Sequence, residues 1–357
     1  MHRAGKRELS TNRAGAGIGT SARVQHAGVE SEQGCELLEE LAGEHGLILA
    51  RDARMLGCYD QVRHAASRSR LVRVWRGAFM LRTRWDALSP DARYLAKVHA
   101  VAALSREPLV FSHWSAAALW RLPIVGQWPA TVHCLQHDAT GGRSSSTLIR
   151  HAGLGRFAVA STDGTLCTSA ADTVLSLAST ARFTTAVAFA DAALHASHDD
   201  RPLCTHRQLE DRLAELYGRK GSRRAAEVSA FADGRSGSPG ESASRATMCL
   251  CGVEIPDLQV AFRDRKGLAG IVDFYWRSAR LVGEFDGKAK YLRDEYTNGL
   301  DAGEIVLKEK RREDRIRALG TSFRRWGWRA ALSPIEMRRM LTAAGAPLRG
   351  QRVFFTA

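Results

Sequence analysis

Residues 271–291 read "IVDFYWRSARLVGEFDGKAKY", the pattern of a β-hairpin that nevertheless carries Asp273, Glu284, Asp286 and Lys288. Alternation predicts that Val272, Phe274 and Trp276 face one way, while Asp273 shares the other face with Ile271 and Tyr275. "RSAR" (277–280) is expected to turn the chain and "LVGEFDG" (281–287) to return it. Glu284 and Asp286 stand two apart, on one face of the returning strand, and pairing of the strands would set Asp273 beside them. Three neighbouring carboxylates repel one another and are costly to bury without a cation. A hard divalent ion, Mg²⁺ or Mn²⁺, with Asp273, Glu284 and Asp286 as ligands would relieve that cost. Lys288 would then stabilise negative charge at a scissile phosphate.

The flanks extend the pattern. "SPGESASRATMCLCG" (238–252) predicts a capped helix with Glu241 and Arg245 four apart. "EIVLKEKRREDRIRALG" (304–320) predicts a strongly charged helix, and "TSFRRWGW" (321–328) a strand. An aspartate on one strand followed by an acid–x–lysine triplet on the next is the order of the PD-(D/E)XK nucleases. Two registers fit: Asp286-x-Lys288 includes the lysine, whereas Glu284-x-Asp286 lacks it. Exposed edge-strand charges beside a solvated helix are the non-catalytic alternative.

A chain of 357 residues is too long for one ordinary core, so several domains are expected. Residues 1–33, rich in Gly, Ala, Ser and Arg without apolar periodicity, read as a disordered leader. Within 34–88 come three short helical patterns and then "RLVRVWRGAFML" (70–81), two apolar strands folded over Arg76-Gly77. That is the plan of a winged helix-turn-helix. Arg63, Arg68, Arg70, Arg73, Arg76, Arg82 and Arg84 fall between positions 61 and 84, with no acidic residue among them. The run covers the expected recognition helix and wing, so the first six are candidate DNA contacts. Arg63 is placed to read a base edge; Arg73, Arg76 and Arg82 are placed to hold phosphates.

Residues 90–230 mix helices and strands and present no catalytic constellation. His113, His133, His137 and His151 are spread over a loop and strands and read as surface or satisfied core residues. "ADGRSGSPGES" (232–242) reads as a linker into a last domain over 236–345. The seven scattered cysteines give no zinc spacing and, in a chain of this size, no disulfide framework. No apolar run reaches the length of a membrane span, and no secretory signal begins the chain, so a cytoplasmic protein is expected. The net charge of +14 points towards a polyanion, though only eight of the 52 basic residues are lysine. Where the arginines cluster therefore says more than their total.

"SPGESASR", "VDFYW", "GEFDGKAKY", "EKRREDRIRALG" and "RRWGW" together resemble the Vsr-like, restriction-endonuclease-fold domain of many bacterial proteins. "LAGEHGLILARDARMLG" with "LVRVWRGAFML" resembles the winged-helix domain of the AbiEi family of type IV toxin–antitoxin antitoxins. "FSHWSAAALWRLP" and "GTLCTSAADTVLSLA" are similar to the middle of the same composite proteins. The resemblance implies an α+β multidomain chain: an N-terminal winged helix-turn-helix, an α+β middle domain and a C-terminal α/β restriction-endonuclease-like domain. It implies a DNA-binding, antitoxin-like regulator whose nuclease-fold end cleaves DNA with a divalent metal, with duplex DNA and a cognate toxin as partners. Glu241, Asp273, Glu284 and Asp286 fall on acidic positions of the Vsr-like pattern. The histidines that Vsr enzymes use after the hairpin are replaced here by Lys288, Lys290 and Tyr291. The alternative is a non-catalytic repressor or antitoxin with a degenerate nuclease domain.

Overall fold

The computed structural model describes residues 36–136, 144–153, 156–196, 201–216, 218–287 and 302–349. The expected leader, His137 and Lys288 lie outside the described residues. The chain is mixed α+β with several small sheets, and it divides into two compact units between Ala87 and Leu88.

The first unit opens with a helical turn over 36–40. Next come β1 (Ile48–Leu49), α1 (Ala50–Met55), α2 (Tyr59–Ser67), β2 (Leu71–Trp75), β3 (Ala78–Leu81) and α3 (Arg82–Ala87). In α2, Val62 and Ala65 lie three apart and are buried, while Gln61, Arg63 and His64 on the other side are exposed. The three strands form an antiparallel sheet in the order β1-β3-β2, with Leu71 opposite Leu81 and Ile48 opposite Phe79. Leu38, Ile48, Ala53, Val62, Leu71 and Leu81 close a small core of their own.

The second unit begins with α4 (Pro90–Leu104), capped by Ser89 Oγ, which accepts from Ala92 N at 3.2 Å. After α5 (His113–Leu119), β4 (Val132–Gln136) pairs in parallel with β5 (Leu148–Ala152), and β6 (Val159–Thr162) pairs antiparallel with β7 (Thr165–Thr168). Phe111 joins the two pairs by bridging both Cys134 and Cys167. Almost every residue of α6 (Ala170–Ala178) and α7 (Phe183–Leu194) is buried, as their nearly continuous apolar sequence requires. Two amphipathic helices pack around them: α8 (His206–Glu215), with a Thr205/Gln208 capping box, and α9 (Ser222–Phe231).

The stretch 232–242, expected as a linker, is packed instead. Asp233 N donates to Asp191 at 2.7 Å, the Gly234 carbonyl lies 2.7 Å from His195 Nδ1, and Ser236 is buried. Small residues here allow close approach to the end of α7 rather than slack. The stretch leads into α10 (Pro239–Leu250), whose Arg245 is 3% exposed and makes two 2.8 Å bonds to Asp191 of α7. Ala246 of α10 sits in the helical core, and Met248 in the core of the last sheet.

That sheet comprises β8 (Asp257–Asp264), β9 (Gly267–Trp276), β10 (Leu281–Phe285) and β11 (Ser322–Trp326), in the order β11-β10-β9-β8. β10 and β11 run parallel; the other pairs are antiparallel. On one face Phe274, Trp276, Leu281 and Trp326 pack with Met248 of α10 and with Met337 and Leu341 of α13 (Pro334–Ala343), after the short α12 (Trp328–Ala331). On the other face Val260, Val282 and Phe323 pack with Ile316 of α11 (Ala302–Arg317). Val272 belongs to this second cluster, with Tyr275, and not with Phe274 and Trp276 as strict alternation predicts. Opposite the switch, Gln259 on β8 has φ +51°, a left-handed backbone that breaks the pleat of the pair. No helix among the described residues is long and apolar enough to cross a membrane.

Candidate nucleic-acid interface and the acidic hairpin

In the first unit α2 and the β2–β3 hairpin carry the arginine run on the outside. Arg63, Arg68, Arg73, Arg76, Arg82 and Arg84 are exposed, and Arg70 is half-buried. Arg63 lies 3.4 Å from Asp60, Arg82 lies 3.8 Å from Asp86, and Arg84 pairs with Glu39. Arg68, Arg73 and Arg76 form no ion pair among the described residues. Their placement follows from the local pattern: Arg73 sits on the outer face of β2 between buried Leu71 and Val74, and Arg76 sits at the turn. The backbone is held from below, since Arg82 N donates to the Arg70 carbonyl at 2.8 Å. The result is an exposed strip of guanidinium groups on a rigid hairpin.

In the second unit the carboxylates of Glu284, Asp273 and Glu241 bond other parts of the protein. Glu284, 8% exposed on β10, accepts from Arg312 of α11 and, at 2.9 Å, from Arg325 Nε of β11. The two arginines also bond Glu309, at 2.9 Å and 2.6 Å, and Arg325 lies 3.0 Å from Glu313. Burial alone would depress the Arg312 guanidinium, but its bonds to Glu309 and Glu284 outweigh burial and raise it. Glu309 is lowered chiefly by its bond to Arg312. Sequence reasoning missed this network, because acid–arginine spacing on a charged helix reads as a solvated face.

Asp273 accepts from Phe285 N at 2.8 Å, one position past the last paired residues, Phe274 and Gly283. Glu241 accepts from Gly237 N at 2.9 Å, Ser238 Oγ at 2.8 Å and Gln259 Nε2 at 2.9 Å, so it serves the start of its own helix. Gln259 gave no sequence signal; its left-handed backbone is what the structure adds. Asp286 is half-buried, and its N–H donates to the Trp326 carbonyl at 2.7 Å. The Phe285 ring lies under Gly240, where any Cβ would come within 2.0 Å of it. Through Phe285 the start of α10, Asp273 and Asp286 thus gather at one end of β10. Among the described residues no group of three or more His, Cys, Asp and Glu is arranged to hold a metal ion. The arrangement does not present Asp273, Glu284 and Asp286 together to one cation, so no chemical step is derived through a metal.

Three of the histidines that look scattered in sequence meet in the structure. His133 Nδ1 lies 2.9 Å from His151 Nε2, and His113 stacks on His151 with ring centroids 3.7 Å apart. Burial lowers all three, His133 to about 4, and their mutual repulsion adds to the effect on His113 and His133.

No protein-family model matches the chain. It is 31% identical over 239 residues to the proteins Rv2248 and MT2308, from two strains of Mycobacterium tuberculosis and both described as uncharacterized. The match covers 63% of this chain and 79% of each of theirs.

Proposed function

We propose, for a chain that belongs to the family of these two mycobacterial proteins, that it is a duplex-DNA-binding regulator of antitoxin-like type. Its first unit is the DNA-reading part, a winged helix-turn-helix, and the sheet of its second unit is a restriction-endonuclease-like scaffold. The observation that carries this reading is the strip of Arg68, Arg73 and Arg76, exposed and without ion pairs among the described residues, on α2's end and the β2–β3 hairpin. Guanidinium groups held on a rigid hairpin are suited to phosphate oxygens, and α2 beside them, bearing Arg63 and Gln61, is suited to a groove. A net charge of +14 favours encounter with the polyanion.

A mobility-shift assay with the DNA upstream of the chain's own coding sequence tests the reading. Retardation that survives competition by unrelated duplex is the expected result; no retardation at low salt would overturn it.

A catalytic reading has one observation in its favour. Asp273, Asp286 and the start of α10 with Glu241 gather at one end of β10, between two helix layers. Plasmid nicking with Mg²⁺ or Mn²⁺, lost in Asp273→Ala and Asp286→Ala, would establish it. With both Glu284 oxygens bonded to arginines, the non-catalytic scaffold is the reading we adopt.

A further inference from the structure

A groove of about 570 Å³ in the second unit is walled by Phe183 of α7, Ala226 and Phe231 of α9, Cys249 of α10, and Val253 and Ile255 beyond it. Phe183 and Phe231 meet with ring centroids 5.3 Å apart, so two aromatic rings form one side. The volume falls in the range of sites that enclose compact apolar ligands, roughly 300–1,000 Å³. Phe231 and Cys249 are half-buried, so part of this apolar wall meets water.

The path of the chain supplies an occupant. Pro347, Leu348 and Arg349 run antiparallel to residues 252–254. Glu254 N donates to the Pro347 carbonyl at 2.9 Å, Leu348 bridges Val253, and Arg349 N donates to the Gly252 carbonyl at 3.1 Å. Gly252, Val253 and Arg349 themselves line the groove. Continued on this course, the chain passes from Gly252 towards the end of α10, where Cys249 stands. The sequence goes on with "GQRVFFTA" (350–357), which lies outside the described residues. Val353 comes four residues after Arg349, at most about 14 Å of extended chain, so it and the two phenylalanines behind it can reach the groove. Three consecutive apolar side chains, two of them aromatic, gain from exchanging water for such a wall.

We propose that Val353, Phe354 and Phe355 dock in this groove of their own chain, against Phe183, Phe231 and Cys249. Docked there, the segment links α7 and α9 to the end of α10 and covers the Cys249 thiol. This contact does not depend on the DNA reading.

Thiol labelling of the full chain with a maleimide, read residue by residue by mass spectrometry after digestion, tests it. Cys249 should label slowly in wild type and about tenfold or more faster in Phe354→Ala/Phe355→Ala, as expected on losing two buried rings. Phe354→Leu/Phe355→Leu keeps the apolar bulk and should label nearly as slowly as wild type. Cys204, buried in the helical core, should stay slow in all three and shows that any change at Cys249 is local. Equal labelling of wild type and the alanine variant would overturn the proposal, as would a leucine variant that labels like the alanine one, or acceleration of Cys204 alongside Cys249. Protection of wild type that fades on dilution would assign the groove to a second copy's segment and overturn it. So would faster labelling of Cys251 in place of Cys249, because Cys251 lines a neighbouring groove with Pro334, Ile335 and Leu348.

Discussion

Glu284 and Arg312 are bonded across the gap between sheet and helix, and that pair ties α11 to β10. Arg325 shares the same carboxylate from β11, so one acid joins three elements. The position that a nuclease pattern assigns to metal here holds the fold together.

Glu284→Ala should therefore destabilise the protein by about 1–3 kcal/mol, because it removes the charged acceptor that half-buried Arg312 shares with exposed Arg325, both of which keep Glu309. Thermal unfolding would show the loss. A variant as stable as wild type would mean that Glu284 is free for another role.

Arg245→Ala should be at least as costly. It abandons the Asp191 carboxylate, which has no exposed surface and is otherwise raised by burial against the pull of Arg245. Breaking one side of such a pair typically costs about 3–5 kcal/mol. Denaturant unfolding of Arg245→Ala beside Arg245→Met separates the effect of the charge from that of packing against Phe231, whose ring lies 4.2 Å from the guanidinium carbon.

Acid should weaken the second unit through its histidines. His133 is held near 4 when folded and returns to an ordinary value near 6.5 when unfolded. The unfolded chain then binds more protons between those values, so stability is complete above about pH 6.5 and falls as pH drops towards about 4. The melting temperature of wild type followed through that window should decline more steeply than that of His133→Gln. Parallel curves would contradict the assignment.

Much of this fold was legible in the sequence. The hairpin over Arg76-Gly77, the four-residue turn at 277–280 and the capped start of the helix at Ser238 all lie where alternation and capping residues put them. The strand β8 escaped notice because its "DLQVAFRD" alternates weakly and its left-handed Gln259 breaks the period. The acidic residues were legible as types but not as partners. Glu284 meets Arg312 across 28 positions and Arg325 across 41, and no local pattern encodes such pairings. The three histidines meet for the same reason: parallel pairing of β4 with β5 sets Leu135 opposite His151, which brings His151 towards His133 two residues earlier on β4.

Asp273→Ala should leave DNA affinity within about twofold of wild type, since Asp273 lies in the second unit and bonds Phe285 N. Its cost should appear in stability instead, about 1–2 kcal/mol for an unmet backbone N–H. A large fall in DNA affinity would implicate the acidic hairpin in binding.

The central claim is that the arginine strip holds DNA, and fluorescence anisotropy of a labelled duplex, titrated at several salt concentrations, tests it most directly. Wild type and the Arg68→Ala/Arg73→Ala/Arg76→Ala variant would be compared. These side chains are exposed and form no ion pair among the described residues, so the variant should fold normally. Each phosphate that the variant no longer neutralises should lower the slope of log affinity against log salt by about one, and removing all three arginines should abolish binding at physiological salt. A variant that binds as tightly as wild type, with the same salt slope, would contradict the account.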